Sequence, residues 1–202
     1  TTLSIEHRTI EVMGRAASVF AIRQSDGTPG LTLDPLGQFR IDLANRTSED
    51  TIVHWHGQKA PYLQDGVADA SRSLIPSGHT QSYDFAPTPG SHWMHSHHGL
   101  QEQALMAAPL IVRSKEDLTV DVQEVTLLLH DFSFREPADI LETLTGGKVA
   151  SQDGAMPGMS GMAGMNHSGM AMGMGAPPGH AGMSMDLNDI EYDAFLANDR
   201  TF

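Results

Sequence analysis

Short alternating stretches, turn clusters between them, and two His-x-His pairs inside extended segments predict an all-β chain. Over residues 1–114 the pattern is that of a β-sandwich or barrel. The first candidate strand is 17–22, followed by Ser25-Asp26-Gly27-Thr28-Pro29-Gly30, a loop dense in turn formers. Phe39, Ile41 and Leu43 then alternate with Arg40, Asp42 and Ala44, as on a half-buried strand. Residues 51–56 are β-branched at their start and carry histidine at their end. Residues 81–86 follow the Pro76-Ser77-Gly78 turn, and 91–97 and 110–113 complete the set. About 110 residues in such strands can bury a core unaided.

The histidines carry the chemistry. In a strand, side chains i and i+2 share a face, so His54 and His56 project together, as do His95 and His97. If the two strands are neighbours, four imidazoles converge with no carboxylate between them. That donor set suits a transition metal such as copper, zinc, iron or nickel. Trp55 and Trp93 alternate with these residues and are read as core, on the opposite face. His92 and His98 are out of register with the pair. His7 and His79 are read as solvated, and His130, beside Asp131, as a buried pair rather than a ligand.

His54-Trp55-His56-Gly57 and Trp93-Met94-His95-Ser96-His97-His98-Gly99 resemble the two N-terminal copper motifs of multicopper oxidases, the family of laccases and bacterial copper-resistance oxidases. The resemblance runs through Asp65-Gly66-Val67, Ile75-Pro76-Ser77-Gly78 and Gly99-Leu100-Gln101-Glu102-Gln103 to Pro109-Leu110-Ile111-Val112. It implies a cupredoxin-like Greek-key sandwich over 1–114. His54 would bind a type 2 copper, and His56, His95 and His97 a type 3 pair, together half of a trinuclear cluster. Asp65, otherwise a plain Asp-Gly turn, would supply protons during reduction of dioxygen. The implied activity is one-electron oxidation of Cu(I) or phenolic compounds coupled to reduction of dioxygen to water, in a periplasmic or secreted protein.

Composition bounds that reading. The chain of 202 residues has 12 Lys plus Arg against 25 Asp plus Glu, a net charge of −13. Nucleic acid and anionic membrane surfaces are thereby disfavoured as partners. No apolar run approaches the roughly 18 residues a membrane helix needs. Thr1 stands first and no signal-peptide pattern is present, as in a mature exported protein. There is no cysteine. A type 1 copper needs a Cys thiolate beside two His, so that site is expected in a C-terminal cupredoxin domain, from the same gene product or a separate chain.

A partial second cupredoxin domain is expected over 115–202, opening with a buried strand at 125–129. A Met/Gly-rich insertion at about 151–185 interrupts it, with nine Met, nine Gly and no aromatic residue. Its thioethers favour Cu(I). Met156, Met159, Met162, Met165, Met170, Met172 and Met174, with His167, are the candidate capture ligands. Pattern returns at Asp186, and Asn198-Asp199 could turn a hairpin before Phe202. A copper-sequestering protein without turnover is the competing reading, favoured by the missing cysteine. Cupin-type metal enzymes also use His-x-His, but usually with a Glu a few residues later, and Gln58-Lys59-Ala60-Pro61-Tyr62 supplies none.

Overall fold

The computed structural model describes residues 1–67, 73–145 and 190–202. Two four-stranded sheets enclose the main core. One has the order β2-β1-β4-β6, from β1 (Thr2–Val12), β2 (Arg15–Gln24), β4 (Phe39–Asn45) and β6 (Thr80–Phe85). The other has the order β3-β8-β7-β5, from β3 (Leu31–Leu33), β5 (Val53–His56), β7 (Gly90–Ser96) and β8 (Ala107–Val112). Pairing is antiparallel except for β1 with β4 and β3 with β8. Leu3, Ile5, Ile22, Phe39, Ile41 and Leu43 from the first sheet meet Val53, Trp55, Met94 and Leu110 from the second. The all-β expectation holds, and the strands read at 17–22, 39–44, 51–56, 81–86, 91–97 and 110–113 all fall on strands of this sandwich.

β1 was not among the expected strands, and its burial explains why. Leu3 and Ile5 enter the main core, whereas Ile10 and Val12, of opposite parity, enter a second one. β2 does the same with Phe20 and Ile22 on one side and Val19 on the other. A strand buried on opposite faces at its two ends shows no continuous alternation.

The second core is closed by a three-stranded sheet, β11-β10-β9, made of β9 (Leu129–Phe132), β10 (Ala194–Ala197) and β11 (Arg200–Thr201). Phe132, Ala194 and Leu196 pack there against Ile10, Val12 and Val19. Arg8 forms a bidentate ion pair with Asp199, and the Arg15 guanidinium lies 3.6 Å over the Phe134 ring. The expected hairpin is present: Asn198 adopts φ 55 between β10 and β11. A helix that the sequence pattern had not indicated, α1 (Pro137–Leu144), begins with proline in its first turn, where the missing N–H costs nothing.

The buried strand expected at 125–129 is corrected. The strand begins only at Leu129, and Val125, Leu127 and Leu129 are 68%, 62% and 66% exposed. Among the described residues no strand pairs with 120–128. Leu128 instead receives the Asn198 N–H at its carbonyl (2.7 Å). An apolar run without a partner sheet has no ladder to join.

Burial pushes the His130 imidazole below its ordinary range, with Asp199 and Asp131 opposing and Arg8 reinforcing the shift. The unfolded chain therefore takes up this proton first. The associated stability is present above about pH 6.5 and is lost as pH falls through the lower folded value. Thermal unfolding followed from about pH 7.5 to 5 should show a falling midpoint. His130→Gln should make that fall shallower, and an unchanged slope would contradict it.

Candidate metal centre

β5 and β7 run antiparallel with His54 directly opposite His95, and His56 opposite Trp93. The His97 N–H donates to the Ile52 carbonyl (3.2 Å), carrying the pairing one step further. One face of this ribbon therefore presents His54, His56, Trp93, His95 and His97. Val53, Trp55 and Met94 go the other way, into the core. The four imidazoles predicted to converge do so. Ring centroids of His54 lie 5.6, 5.6 and 5.4 Å from those of His56, His95 and His97, and His95 lies 5.6 Å from His97. Ring nitrogens of His54, His56 and His95 all lie within 4.8 Å of one another.

The Trp93 expectation is corrected. Trp93 precedes His95 by two residues, so strand parity puts it on the histidine face. Its ring stacks on His95 at 4.0 Å with an 11° interplanar angle and lies 5.1 Å from His56. Only Trp55 is core, fully buried between Phe39 and Tyr83.

Hydrogen bonds settle which nitrogens are free. His54 Nδ1 lies 2.8 Å from the Asp65 carbonyl oxygen, and His95 Nδ1 lies 2.9 Å from Glu102 Oε2 and 3.1 Å from the Ser96 carbonyl. These oxygens can only accept, so Nδ1 carries the proton, and in the neutral ring Nε2 then keeps its lone pair. His95 Nε2 lies 3.3 Å from His56 Nδ1. Burial lowers the His95 pKa, outweighing the opposing pull of Glu102, which keeps the ring in the neutral form a metal requires. Three nitrogen donors thus share one space, two of them oriented by oxygen acceptors on their far side, the arrangement typical of metal-bound histidine. His56 and His97 are exposed, leaving the site open on one side.

Asp65 reaches the site through its backbone carbonyl, while its carboxylate lies 3.6 Å from His54 Nδ1. It ends a 3-10 turn (Tyr62–Gln64) and precedes Gly66, which adopts φ 80. His92 is apart from the cluster, its Nε2 donating to the Thr88 carbonyl (3.0 Å). His7 and His79 are exposed, as expected. The tract ligands Met156, Met159, Met162, Met165, His167, Met170, Met172 and Met174 lie outside the described residues. Glu102 was not singled out beforehand, because a turn residue carries no periodicity. The one available signal was a carboxylate seven positions after His95.

A β-sandwich presenting clustered imidazoles from paired His-x-His strands makes a candidate transition-metal centre. The chain belongs to the multicopper oxidase family, whose model matches residues 4–117. It is 32% identical over 151 residues to copper resistance protein A of Pseudomonas syringae pv. tomato, covering 70% of this chain and 24% of that protein. Identity to multicopper oxidase MmcO of Mycobacterium tuberculosis is 26% over 202 residues, covering 98% of this chain and 37% of that protein. The blue copper oxidase from Nitrosomonas europaea superposes with a TM-score of 0.56 at 28% identity, covering 64% of this chain and 44% of that one. A laccase from B. aclada gives 0.59 at 27% identity, covering 70% and 27%. The chain spans about a quarter of the length of the first of these relatives.

Proposed function

We propose that this chain supplies half of the trinuclear copper site of an enzyme that couples one-electron oxidation to reduction of dioxygen to water. The observation that carries the proposal is the set of three ring nitrogens within 4.8 Å, two of them on rings whose Nδ1 is already engaged. His54 holds the type 2 copper, and His56, His95 and His97 contribute to the type 3 pair. Bound copper would supply the electron-transfer chemistry. The protein's own groups orient the ligands, exclude water from beneath them and manage protons.

Residues 1–114 act as one cupredoxin domain and 115–202 as part of another. The exposed sides of His56 and His97, and the absence of cysteine from the sequence, favour a C-terminal cupredoxin domain that brings the remaining histidines and the type 1 copper. Export to the periplasm or cell exterior fits this reading. No helix among the described residues is long and apolar enough to cross a membrane.

Substrates are Cu(I) or phenolic compounds, and the Met tract from Met156 to Met185 favours Cu(I). Its thioethers would capture cuprous ion and deliver it for oxidation. Oxygen uptake by the full-length copper-loaded protein tests this. Uptake should follow Cu(I) addition, and deleting the tract should weaken it while sparing a bulky phenolic donor. Equal loss with both donors would assign the tract a structural role.

Asp65 handles protons, because its carboxylate sits beside a candidate ligand without occupying a ligand position. General acid–base steps are typically worth about 10²–10⁴-fold. Asp65→Asn should keep its copper and slow reoxidation of the reduced enzyme by dioxygen. Copper loss with normal reoxidation of the loaded fraction would contradict the role.

A further inference from the structure

We propose that Glu102 is a positioning residue for the metal centre, an anionic acceptor that holds the His95 ring with Nε2 toward the other imidazoles. The inference rests on the copper-site reading above and adds a residue outside the histidine motifs.

His95 is the most buried of the four histidines, and its ring is held from several sides. Trp93 stacks on one face and fixes the ring plane. Rotation within that plane is set at Nδ1, where Glu102 Oε2 at 2.9 Å and the Ser96 carbonyl at 3.1 Å compete for one proton. The Ser96 carbonyl belongs to the next residue of the same strand and is neutral. Glu102 brings a negative charge, and charge-assisted hydrogen bonds are roughly twice as strong as neutral ones. His54 has a neutral carbonyl at hydrogen-bond distance, with the Asp65 carboxylate farther off at 3.6 Å. The two opposed histidines are thus oriented by different means.

The loop that delivers Glu102 is fastened more firmly than a plain connection requires. Neighbouring Gln101 is buried and uses its whole amide. Its oxygen accepts from Thr51 Oγ (2.8 Å) and Ser96 Oγ (2.8 Å), and its nitrogen donates to Glu49 Oε2 (2.9 Å) and the Asp50 carbonyl (2.9 Å). The Ala104 carbonyl accepts from Phe20 N–H (3.0 Å), tying the loop to β2. The Glu102 carbonyl accepts from Leu105 N–H (2.9 Å), and Leu105 takes the left-handed value φ 65. A non-glycine residue persists there only where its surroundings over-determine the backbone. These restraints hold the backbone that places the Glu102 side chain against His95.

The test measures copper retained by the full-length protein against a competing chelator, with unfolding of the copper-free form followed in parallel. Removing an outer partner of a metal-bound histidine typically costs about 10–100-fold in affinity. Glu102→Ala should weaken retention by that order and leave copper-free unfolding unchanged. Glu102→Gln, whose amide oxygen still accepts the Nδ1–H but carries no charge, should recover only part of the loss. Glu102→Ala as tight as wild type would overturn the proposal, as would Glu102→Gln as weak as Glu102→Ala. His95→Ala separates the two levels of the argument. If it leaves retention untouched, the copper-site reading itself fails. If it loses copper while Glu102→Ala does not, only the role of Glu102 fails.

Discussion

Trp55→Ala should destabilise the protein by about 3–5 kcal/mol, the cost typical of emptying a buried aromatic site. Trp55 is fully buried, with its ring edge-on to Phe39 (4.8 Å) and Tyr83 (4.9 Å). Both neighbours sit on paired strands of the facing sheet, β4 and β6, so the cavity cannot collapse freely. The same residue lies between His54 and His56 in β5, and its packing keeps that strand seated. Loss of the ring should therefore also lower copper retention. Trp55→Phe keeps part of the volume and should lie between the two. Denaturant unfolding of the three proteins checks the order, and a Trp55→Ala value close to wild type would contradict it.

Gly66→Ala should damage the site from outside the histidine motifs. At φ 80 an added Cβ would lie 1.9 Å from the Val53 carbonyl oxygen and 2.9 Å from the His54 Cα. Both are backbone atoms, so either β5 or the Asp65–Gly66 turn must move. Movement of either breaks the bond from His54 Nδ1 to the Asp65 carbonyl. Gly27→Ala is the matched control, because Gly27 has φ 88 and nothing within 4 Å of the added atom. The control should lose only the left-handed backbone term, about 1–2 kcal/mol. Gly66→Ala should lose clearly more and release copper as well. Equal effects from the two substitutions would mean that the close approach to Val53 plays no part.

Much of this was legible in the sequence, for reasons that can be stated residue by residue. The i, i+2 parity of His54/His56 and His95/His97 needs only a strand, and the strands are there. Trp93 was misplaced although the same parity rule covers it, since 93, 95 and 97 are one series. β1 escaped because its apolar residues change face between Ile5 and Ile10, so no single alternation runs through it. The apolar residues 125–129 read as buried, yet burial depends on a covering surface that a local pattern does not encode. Glu102 reaches His95 through a turn whose path is set by Gln101 and Leu105, and tertiary hydrogen bonds of that kind leave no periodic trace. The Met tract is visible only as composition, and its role stands on the softness of thioether ligands alone.

The most direct test of the central claim is the copper content of the purified full-length protein, wild type against the variant with His54, His56, His95 and His97 all replaced by alanine. All four side chains lie on the face turned away from the main core, so the sandwich should remain folded without them. The variant is expected to lose the type 2 and type 3 copper while its circular dichroism stays that of the wild type. A folded variant with unchanged copper content would show that these histidines are not the ligands.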